Sequence, residues 1–331
     1  MTVARNILVV GGAGYIGSHM VKVLLEHGHR VCTLDNLSTG HADAVTGGEF
    51  LKGDLADREF LKGVFSQNRF DAVMHFASCI EVGESVSIPG KYYRNNVANT
   101  LNVLDAMVET GVAHFIFSSS AAVYGDPQRV PIDETHPTSP VNPYGRTKLM
   151  VEQILEDYDR AHGLKSVSLR YFNAAGADPS GKLGERHEPE SHLIPRVLQG
   201  ASGRRSDITV FGADYDTPDG TCIRDYIHVL DLCDAHLAGL DYLSARQQSL
   251  RVNLGNGTGF SVRQVIETAR RVTRREFPVS YDKRRPGDAP RLVADAALAR
   301  KLLGWNPRYP ELETLIEHAW QWELNVMKQG S

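Results

Sequence analysis

Ile7-Leu8-Val9-Val10-Gly11-Gly12-Ala13-Gly14-Tyr15-Ile16-Gly17 is the stretch on which the reading of the chain turns. Four consecutive apolar residues predict a buried strand, and the pattern from about Tyr15 to His27 predicts a helix. Gly11, Gly14 and Gly17 stand between them. Glycines so placed permit a tight turn, close approach of backbone to a pyrophosphate, and close packing of helix on strand. The helix N-terminus adds unpaired N–H groups and the positive end of its dipole. The glycine spacing alone is weak evidence; its context is what gives it weight.

That context is a second strand, Arg30-Val31-Cys32-Thr33-Leu34, ended by Asp35. An acid there can accept hydrogen bonds from an adenosine ribose. Its charge would repel a 2′-phosphate, and Asn36-Leu37-Ser38 holds no Arg or Lys to offset it. NAD is therefore expected over NADP. Further strands are expected at Ala72–Phe76, His114–Phe117 and Ser166–Arg170. Continuous apolar strands alternating with helices predict a parallel sheet covered on both faces, a doubly wound Rossmann-type α/β fold. After about Ala177 the rhythm changes. Asp178–Pro189 and Asp214–Gly220 read as loops, and Arg251–Gly255 as a returning strand. The expected division is a dinucleotide domain over 1–177 and a smaller mixed α/β substrate domain over 178–331. The chain is expected to cross back to the first domain around 224–256.

Tyr144 and Lys148 lie four apart in Pro143-Tyr144-Gly145-Arg146-Thr147-Lys148, which puts them on one face of a helix. Such pairs are common on helix surfaces and usually mean nothing. Here Ser118-Ser119-Ser120 follows directly on the His114–Phe117 strand, and ligands bind at the C-terminal ends of parallel strands. Ser120 is thereby expected over the same crevice as the glycine loop. Ser120, Tyr144 and Lys148 form a candidate hydroxyl relay. A hydroxyl must lose its proton as its carbon gives up hydride, and a free tyrosine with pKa about 10 is rarely ionised at neutral pH. A neighbouring ammonium and a positive nicotinamide ring both favour the phenolate. Bringing the phenol near neutrality takes ~4 kcal/mol of differential stabilisation.

Together these elements resemble the extended short-chain dehydrogenase family. Within it the finer match is to the UDP-glucose 4-epimerases, over nearly the whole chain. The segments that carry it include Gly11–His19, Leu34–Leu37, Val82–Ser85, Asn95–Val97 and Phe117–Gly125. Tyr171–Asn173, Gly220–Val229 and Arg285–Asp288 continue it in the second half. The resemblance implies that Tyr15, Ile16 and Asp35, Asn36, Leu37, Ser38, Thr39 and Gly40 line the NAD diphosphate and ribose. Asp54 and Leu55 would flank the adenine. Phe76, Ala77, Ser78, Cys79, Ile80, Asn95 and Phe172 would complete the cofactor pocket, with Tyr144 and Lys148. On the substrate side it implies Asn173, His192, Leu193, Thr209, Val210, Phe211, Arg224, Arg285, Asp288 and Leu292, besides Ser120 and Tyr144. Phe211 would lie against the uracil, and the two arginines would neutralise the diphosphate.

Two positions depart from the best-known bacterial pattern: Ile80 replaces a Lys, and His192 stands where an Asn contacts substrate. Relatives that dehydrate or decarboxylate place acids directly after the Ser/Thr. Here Ala121 and Ala122 stand there, and they transfer no protons. A 4-epimerase of another UDP-sugar, such as UDP-xylose or UDP-glucuronate, remains open. So does a non-enzymatic NAD-sensing regulator on the same fold, although such proteins typically lose the tyrosine or the lysine.

With 331 residues there is room for two cores, and 42% hydrophobic with 23% charged residues is ordinary for a globular protein. A formal net charge of −4 gives no reason to expect nucleic acid or an anionic membrane as partner. Cys32, Cys79, Cys222 and Cys233 form no CxxC pair and no His/Cys cluster at zinc spacing, so reduced thiols and no metal are expected. No apolar run approaches the ~18 residues of a membrane helix, and no signal peptide is read at the N-terminus. A cytoplasmic enzyme is expected. A helix from about Asn95 to Val108 carries Val97, Leu101, Leu104 and Val108, with Val103 and Met107 pointing elsewhere. That second set, and the family's habit, lead to the expectation of a homodimer.

Overall fold

Ile7 and Val9 of β1 (Asn6–Val10) enter one apolar core and Leu8 and Val10 another, and all four are buried. A strand apolar on both faces needs cover on both. The computed structural model of the chain describes residues 4–285 and 288–329. It sets β1 in a seven-stranded, wholly parallel sheet. The other members are β2 (Arg30–Asp35), β3 (Glu49–Lys52), β4 (Ala72–His75), β5 (His114–Ser120), β6 (Lys165–Tyr171) and the strand Leu250–Leu254. Their order is Leu250–Leu254, β6, β5, β4, β1, β2, β3. The chain runs outward from β1 to β3, then returns to β4 on the other side of β1. That reversal opens a crevice at the C-terminal ends of β1 and β4, where such sheets bind ligands.

Helices Tyr15–Glu26 and Val229–Arg246 cover one face through Met20, Leu24, Leu232 and Leu240. Helices Arg58–Gln67, Asn99–Thr110 and Pro143–His162 cover the other through Leu61, Phe65, Val103, Met107 and Leu155. The second unit builds its own core from Val197, Ile208, Val265, Leu315 and Trp320, with helices Leu193–Ser202, Val262–Thr273 and Leu312–Gln329. Its strands are short: Ile223–Arg224 lies between Phe260–Ser261 and Arg291–Leu292, and Ile208–Phe211 pairs with Val279–Asp282. The chain then crosses back, since the strand Leu250–Leu254 pairs with β6. Residues 178–189 and 214–220 hold neither helix nor strand. Among the described residues no helix is long and apolar enough to cross a membrane.

Three local differences from the sequence reading have physical causes. β3 is an edge strand without a fully buried residue, so it offers no apolar run to find. β5 continues through Ser120, because its serines are buried and paired with β6. The helix expected over 95–108 is π-helical at Tyr93–Ala98 and becomes α-helical only at Asn99–Thr110. Val103 and Met107, expected to point elsewhere and leave a face for another chain, are wholly buried in this chain's own core. The half-buried apolar residues there are Val97, Leu101 and Val108.

Candidate active site

Two of the three glycines are dictated by packing. Gly11 has φ +78°, and a Cβ on it would stand 2.5 Å from the Ala77 nitrogen. A Cβ on Gly17 would stand 2.1 Å from the Gly11 carbonyl oxygen. Gly14 differs: its Cβ would meet nothing nearer than that same oxygen at 3.4 Å. The protein's own packing therefore does not require glycine at 14, whereas close approach by a ligand does. Gly14 is the N-cap of Tyr15–Glu26, no side chain caps this helix, and no acid lies in its first turn. The positive helix end and the first-turn N–H groups of Tyr15, Ile16 and Gly17 are left to an anion.

Asp35 is buried, with one oxygen accepting from the Ala13 N–H at 3.0 Å and the other from Leu37 N–H at 2.8 Å. A carboxylate has about four acceptor sites, so capacity remains for a ribose diol. Segment 35–40, with Ser38 and Thr39 at its turn, folds back on the glycine loop. Gly40 packs against Ala13, and the His41 N–H donates to the Ala13 carbonyl at 2.9 Å. Asn36 Nδ2 donates to Asp54 at 2.9 Å, and the carbonyl of buried Leu55 accepts from Asn102. Across the crevice, Phe76 to Ile80 leave the end of β4 half-buried. Asn96, which the sequence reading did not single out, holds this segment. It bridges Cys79 N (2.8 Å), Cys79 O (3.0 Å) and Thr147 Oγ1 (3.0 Å), while Asn95 donates to it at 3.0 Å. A π-helical turn gives two successive asparagines room to face inward. These residues fit a dinucleotide with an unphosphorylated adenosine ribose.

The catalytic candidates meet because the helix Pro143–His162 begins on top of the turn after β5. Asn142 caps it by accepting from the Gly145 N–H at 2.8 Å, and Pro143 occupies its first turn. A Cβ on Gly145 would stand 2.4 Å from the Ala122 carbonyl oxygen, so only glycine lets the helix seat this low. Ser120 caps the turn Ala121–Val123, accepting from the Ala122 N–H at 3.1 Å. Lys148 is buried and donates from Nζ to the Ser118 carbonyl at 2.8 Å. Its Nζ lies 5.0 Å from the Phe117 ring centre and 5.8 Å from that of Tyr144.

Burial pushes the Lys148 ammonium down to about 7, against the pull of Cys79 and Glu152. Burial likewise raises the Tyr144 phenol, opposed by the Ser120 hydroxyl. The sequence reading counts two cations beside the phenol, the Lys148 ammonium and the nicotinamide ring, and only the first belongs to the chain. The remaining lowering must come from charge brought in by the ligand.

One turn beyond Lys148, on the same face, Glu152 is fully buried against Arg170, with contacts of 2.5 and 2.9 Å. Ser119 Oγ donates to Glu152 at 2.6 Å. Arg170 also donates to the Tyr124 hydroxyl at 2.9 Å, which donates to Asn253 at 2.7 Å. This network ties the catalytic helix to β5, β6 and the strand Leu250–Leu254. Removing one partner of such a pair costs about 3–5 kcal/mol, because the other charge is left buried and alone. A Glu four residues after Lys148 was visible in the sequence. Its partner, on a distant strand, was not.

On the substrate side, Phe211 and Arg285 meet face to face, the guanidinium 4.0 Å from the ring centre. Arg224 is half-buried and paired with Asp288 at 2.5 Å, and it donates to the Ala289 carbonyl at 2.9 Å. Pro286 and Gly287, between those partners, lie outside the described residues. Asn173 Nδ2 donates to the Asp225 carbonyl at 3.0 Å. Leu292 pairs in register with Arg224 and packs with Phe172 against Val123, Tyr124 and Ile132, beside the Ser120 turn. Val210 points into the core of the second unit, while Thr209 and Phe211 are half-buried on either side of it. Only the backbone of Val210 is left for a ligand. Leu193 packs on the same core. His192 occupies the N-cap position of the helix Leu193–Ser202 without capping it by its side chain, and directs Nδ1 at Glu185.

A doubly wound parallel sheet with a glycine-lined dinucleotide crevice and a Ser/Tyr/Lys set over it defines the short-chain dehydrogenase type of NAD enzyme. The chain belongs to the NAD dependent epimerase/dehydratase family, whose model matches residues 7–255. It is 52% identical over 316 residues to the UDP-glucose 4-epimerase of Halalkalibacterium halodurans, covering 96% of this chain and 95% of that one. The crystal structure of UDP-glucose 4-epimerase from Brucella ovis in complex with NAD superposes with a TM-score of 0.94 at 51% identity, over 96% of this chain and 98% of that one. The UDP-Glc/GlcNAc 4-epimerase of Campylobacter jejuni superposes with a TM-score of 0.86 at 46% identity, over 97% of this chain and all of that one.

Proposed function

We propose that the protein is an NAD-dependent UDP-glucose 4-epimerase, interconverting UDP-galactose and UDP-glucose. The observation that carries this reading is the meeting of Tyr144, Lys148 and Ser120 at the glycine-loop crevice, with Ala121 and Ala122 where a dehydratase needs acids. The relatives at about half identity over nearly full length support it. Gly11, Gly14, Gly17 and Asp35 would hold NAD, which supplies a reversible hydride acceptor at C4′ of the sugar. Tyr144 takes the 4′-hydroxyl proton, directly or through Ser120, and returns it. Lys148, anchored on the Ser118 carbonyl, orients the phenol and lends it positive charge. Because one tyrosine serves both directions, the ketosugar must turn in the pocket and present its other face. Phe211 would flank the uracil, and Arg224 and Arg285 would meet the diphosphate. For that, Arg224 must exchange part of its contact with Asp288 for phosphate oxygens.

Net redox change is zero, so NAD has no reason to leave between turnovers. Purified protein is expected to carry NAD(H) and to turn over UDP-galactose with none added. The check is release of the nucleotide on denaturation, with products identified by NMR across several UDP-hexoses and UDP-pentoses. Full dependence on added NADP, or turnover confined to UDP-xylose or UDP-glucuronate, would overturn the reading.

The four cysteines are free, which supports the reading of a protein at home in the reducing cytoplasm. A homodimer is proposed through the helices Asn99–Thr110 and Pro143–His162. They lie side by side, joined by Tyr158 donating to Asp105 at 2.5 Å. Met150 is 39% exposed on the second of them, and Leu101 is half-buried on the first. Sedimentation at micromolar concentration is expected to give twice the chain mass, and a monomer mass would rule the dimer out.

A further inference from the structure

The loop that leads into the helix Leu193–Ser202 carries Glu185, His187, Glu190 and His192. One ligand-type atom from each lies within 4.8 Å of all the others. His187 Nδ1 is 3.2 Å from Glu185 Oε1 and 3.8 Å from Glu190 Oε2. His192 Nδ1 is 2.5 Å from Glu185 Oε1 and 3.6 Å from Glu190 Oε1. The two glutamates are each only 9% exposed. Glu185 Oε1, His187 Nδ1 and His192 Nδ1 are shut off from solvent and face one another, with no partner outside the cluster among the described residues. Two carboxylates and two imidazoles that converge on one buried point offer a ready set of ligand atoms.

We propose that Glu185, His187, Glu190 and His192 hold one divalent transition-metal ion, zinc being the ion their chemistry suits. Ligands of a tetrahedral zinc with bonds near 2.0–2.1 Å stand about 3.3 Å apart; the His187 Nδ1–Glu185 Oε1 separation of 3.2 Å matches that, and the others, from 2.5 to 3.8 Å, would adjust as the ion binds. Two imidazoles and two carboxylates form a borderline-to-hard donor set, right for zinc and its first-row neighbours and wrong for the thiolate-loving ions. The dication would neutralise two buried carboxylates that no Lys or Arg pairs with among the described ion pairs. A cavity of about 310 Å³ opens beside Glu185, His187 and Glu190 and provides an entry route.

One outer contact is already in place, the His192 N–H donating to the Glu190 carboxylate at 2.9 Å. Trp322 Nε1 fixes the backbone beside it by donating to the Glu185 carbonyl at 2.8 Å. All four ligands come from one short stretch, and the role proposed for the ion is structural. The ion pins the loop that joins the two units. On one side that loop touches the dinucleotide region, where His41 Nε2 lies 3.2 Å from the Arg186 carbonyl. On the other it sets the start of the helix carrying Leu193. His192 is also the substrate-side position that the resemblance implies, so metal binding is read out directly and does not depend on the epimerase reading.

The test uses tag-free protein stripped with EDTA, then titrated with Zn²⁺ and, separately, Co²⁺. Metal content, the Co²⁺ visible spectrum and the melting temperature are the readouts. Expected are one ion per chain, tetrahedral Co²⁺ absorption bands and a higher melting temperature with either metal. His187→Ala and Glu190→Gln should each weaken Co²⁺ binding by at least ~10²-fold, more than the loss of an outer-sphere partner. Stripped wild-type protein that takes up neither ion would overturn the proposal, leaving two imidazolium–carboxylate pairs. So would variants that bind as tightly as wild type. Should the variants fail to fold, the wild-type Co²⁺ spectrum decides, and its failure to develop tetrahedral bands counts against the site.

Discussion

Tyr144→Phe is expected to leave fold and NAD content intact and to lower turnover of UDP-galactose by at least ~10²-fold, the scale of one general acid/base. The substitution removes a single oxygen. Among the described residues that hydroxyl has Ser120 as its hydrogen-bond partner, itself a member of the catalytic set. Melting temperature and bound nucleotide serve as controls, and initial rates under saturating substrate give the result. Near wild-type turnover would remove Tyr144 from the reaction. Lys148→Ala should also suppress turnover and shift the active range to higher pH, because less positive charge then favours the phenolate. The direction follows from the site itself. Burial raises the phenol, so each lost cation moves its ionisation further from neutrality.

The parts of this site that were legible in the sequence are those where chemistry and chain order coincide. Gly11 to Gly17 sit between a strand and a helix, Asp35 ends the next strand, and Tyr144 and Lys148 share one helix face. Each is a local pattern with a steric or electrostatic reason. What was not legible depends on partners far apart in the chain. Arg170 reads as a charge in a strand, yet it is buried against Glu152, Tyr124 and Asn253. Asn96 reads as a polar residue in a helix, yet it holds Cys79 and Thr147 together. β3 is pinned by its pairing with β2 and by nothing apolar in its own sequence. The Glu-x-His-x-x-Glu-x-His spacing of residues 185–192 is local, yet only the fold of the loop shows that the four side chains converge. Val103 and Met107 show the converse: the part of the helical stripe that reads as spare for a neighbour packs in the chain's own core.

Leu292→Tyr is expected to separate two activities. The unsubstituted protein is expected to interconvert UDP-N-acetylglucosamine and UDP-N-acetylgalactosamine as well as UDP-glucose and UDP-galactose. The Tyr variant should lose the first activity and keep the second. Leu292 stands in register beside Arg224, which would hold the diphosphate, and packs with Phe172 against the turn that follows Ser120. A side chain there lies between the phosphate anchor and the catalytic turn, the span that a sugar ring must occupy. The family resemblance implies that this position would wall the pocket near the C2 substituent. Leucine is shorter than tyrosine by the far edge of the ring and its hydroxyl, which leaves room for an acetamido group. Restoring that bulk excludes only the larger sugar, so discrimination comes from a clash and not from a new attraction. The half-buried position also carries a structural duty, since the Leu292 carbonyl accepts from the Asp225 N–H at 3.0 Å. That bond belongs to the backbone and survives substitution. Retained turnover of UDP-galactose therefore certifies that the variant is folded. The measurement is product analysis by NMR for both sugar pairs, with both proteins. If the unsubstituted protein epimerises UDP-galactose and leaves the N-acetylated sugars untouched, Leu292 is a core residue of its short strand and not a gate.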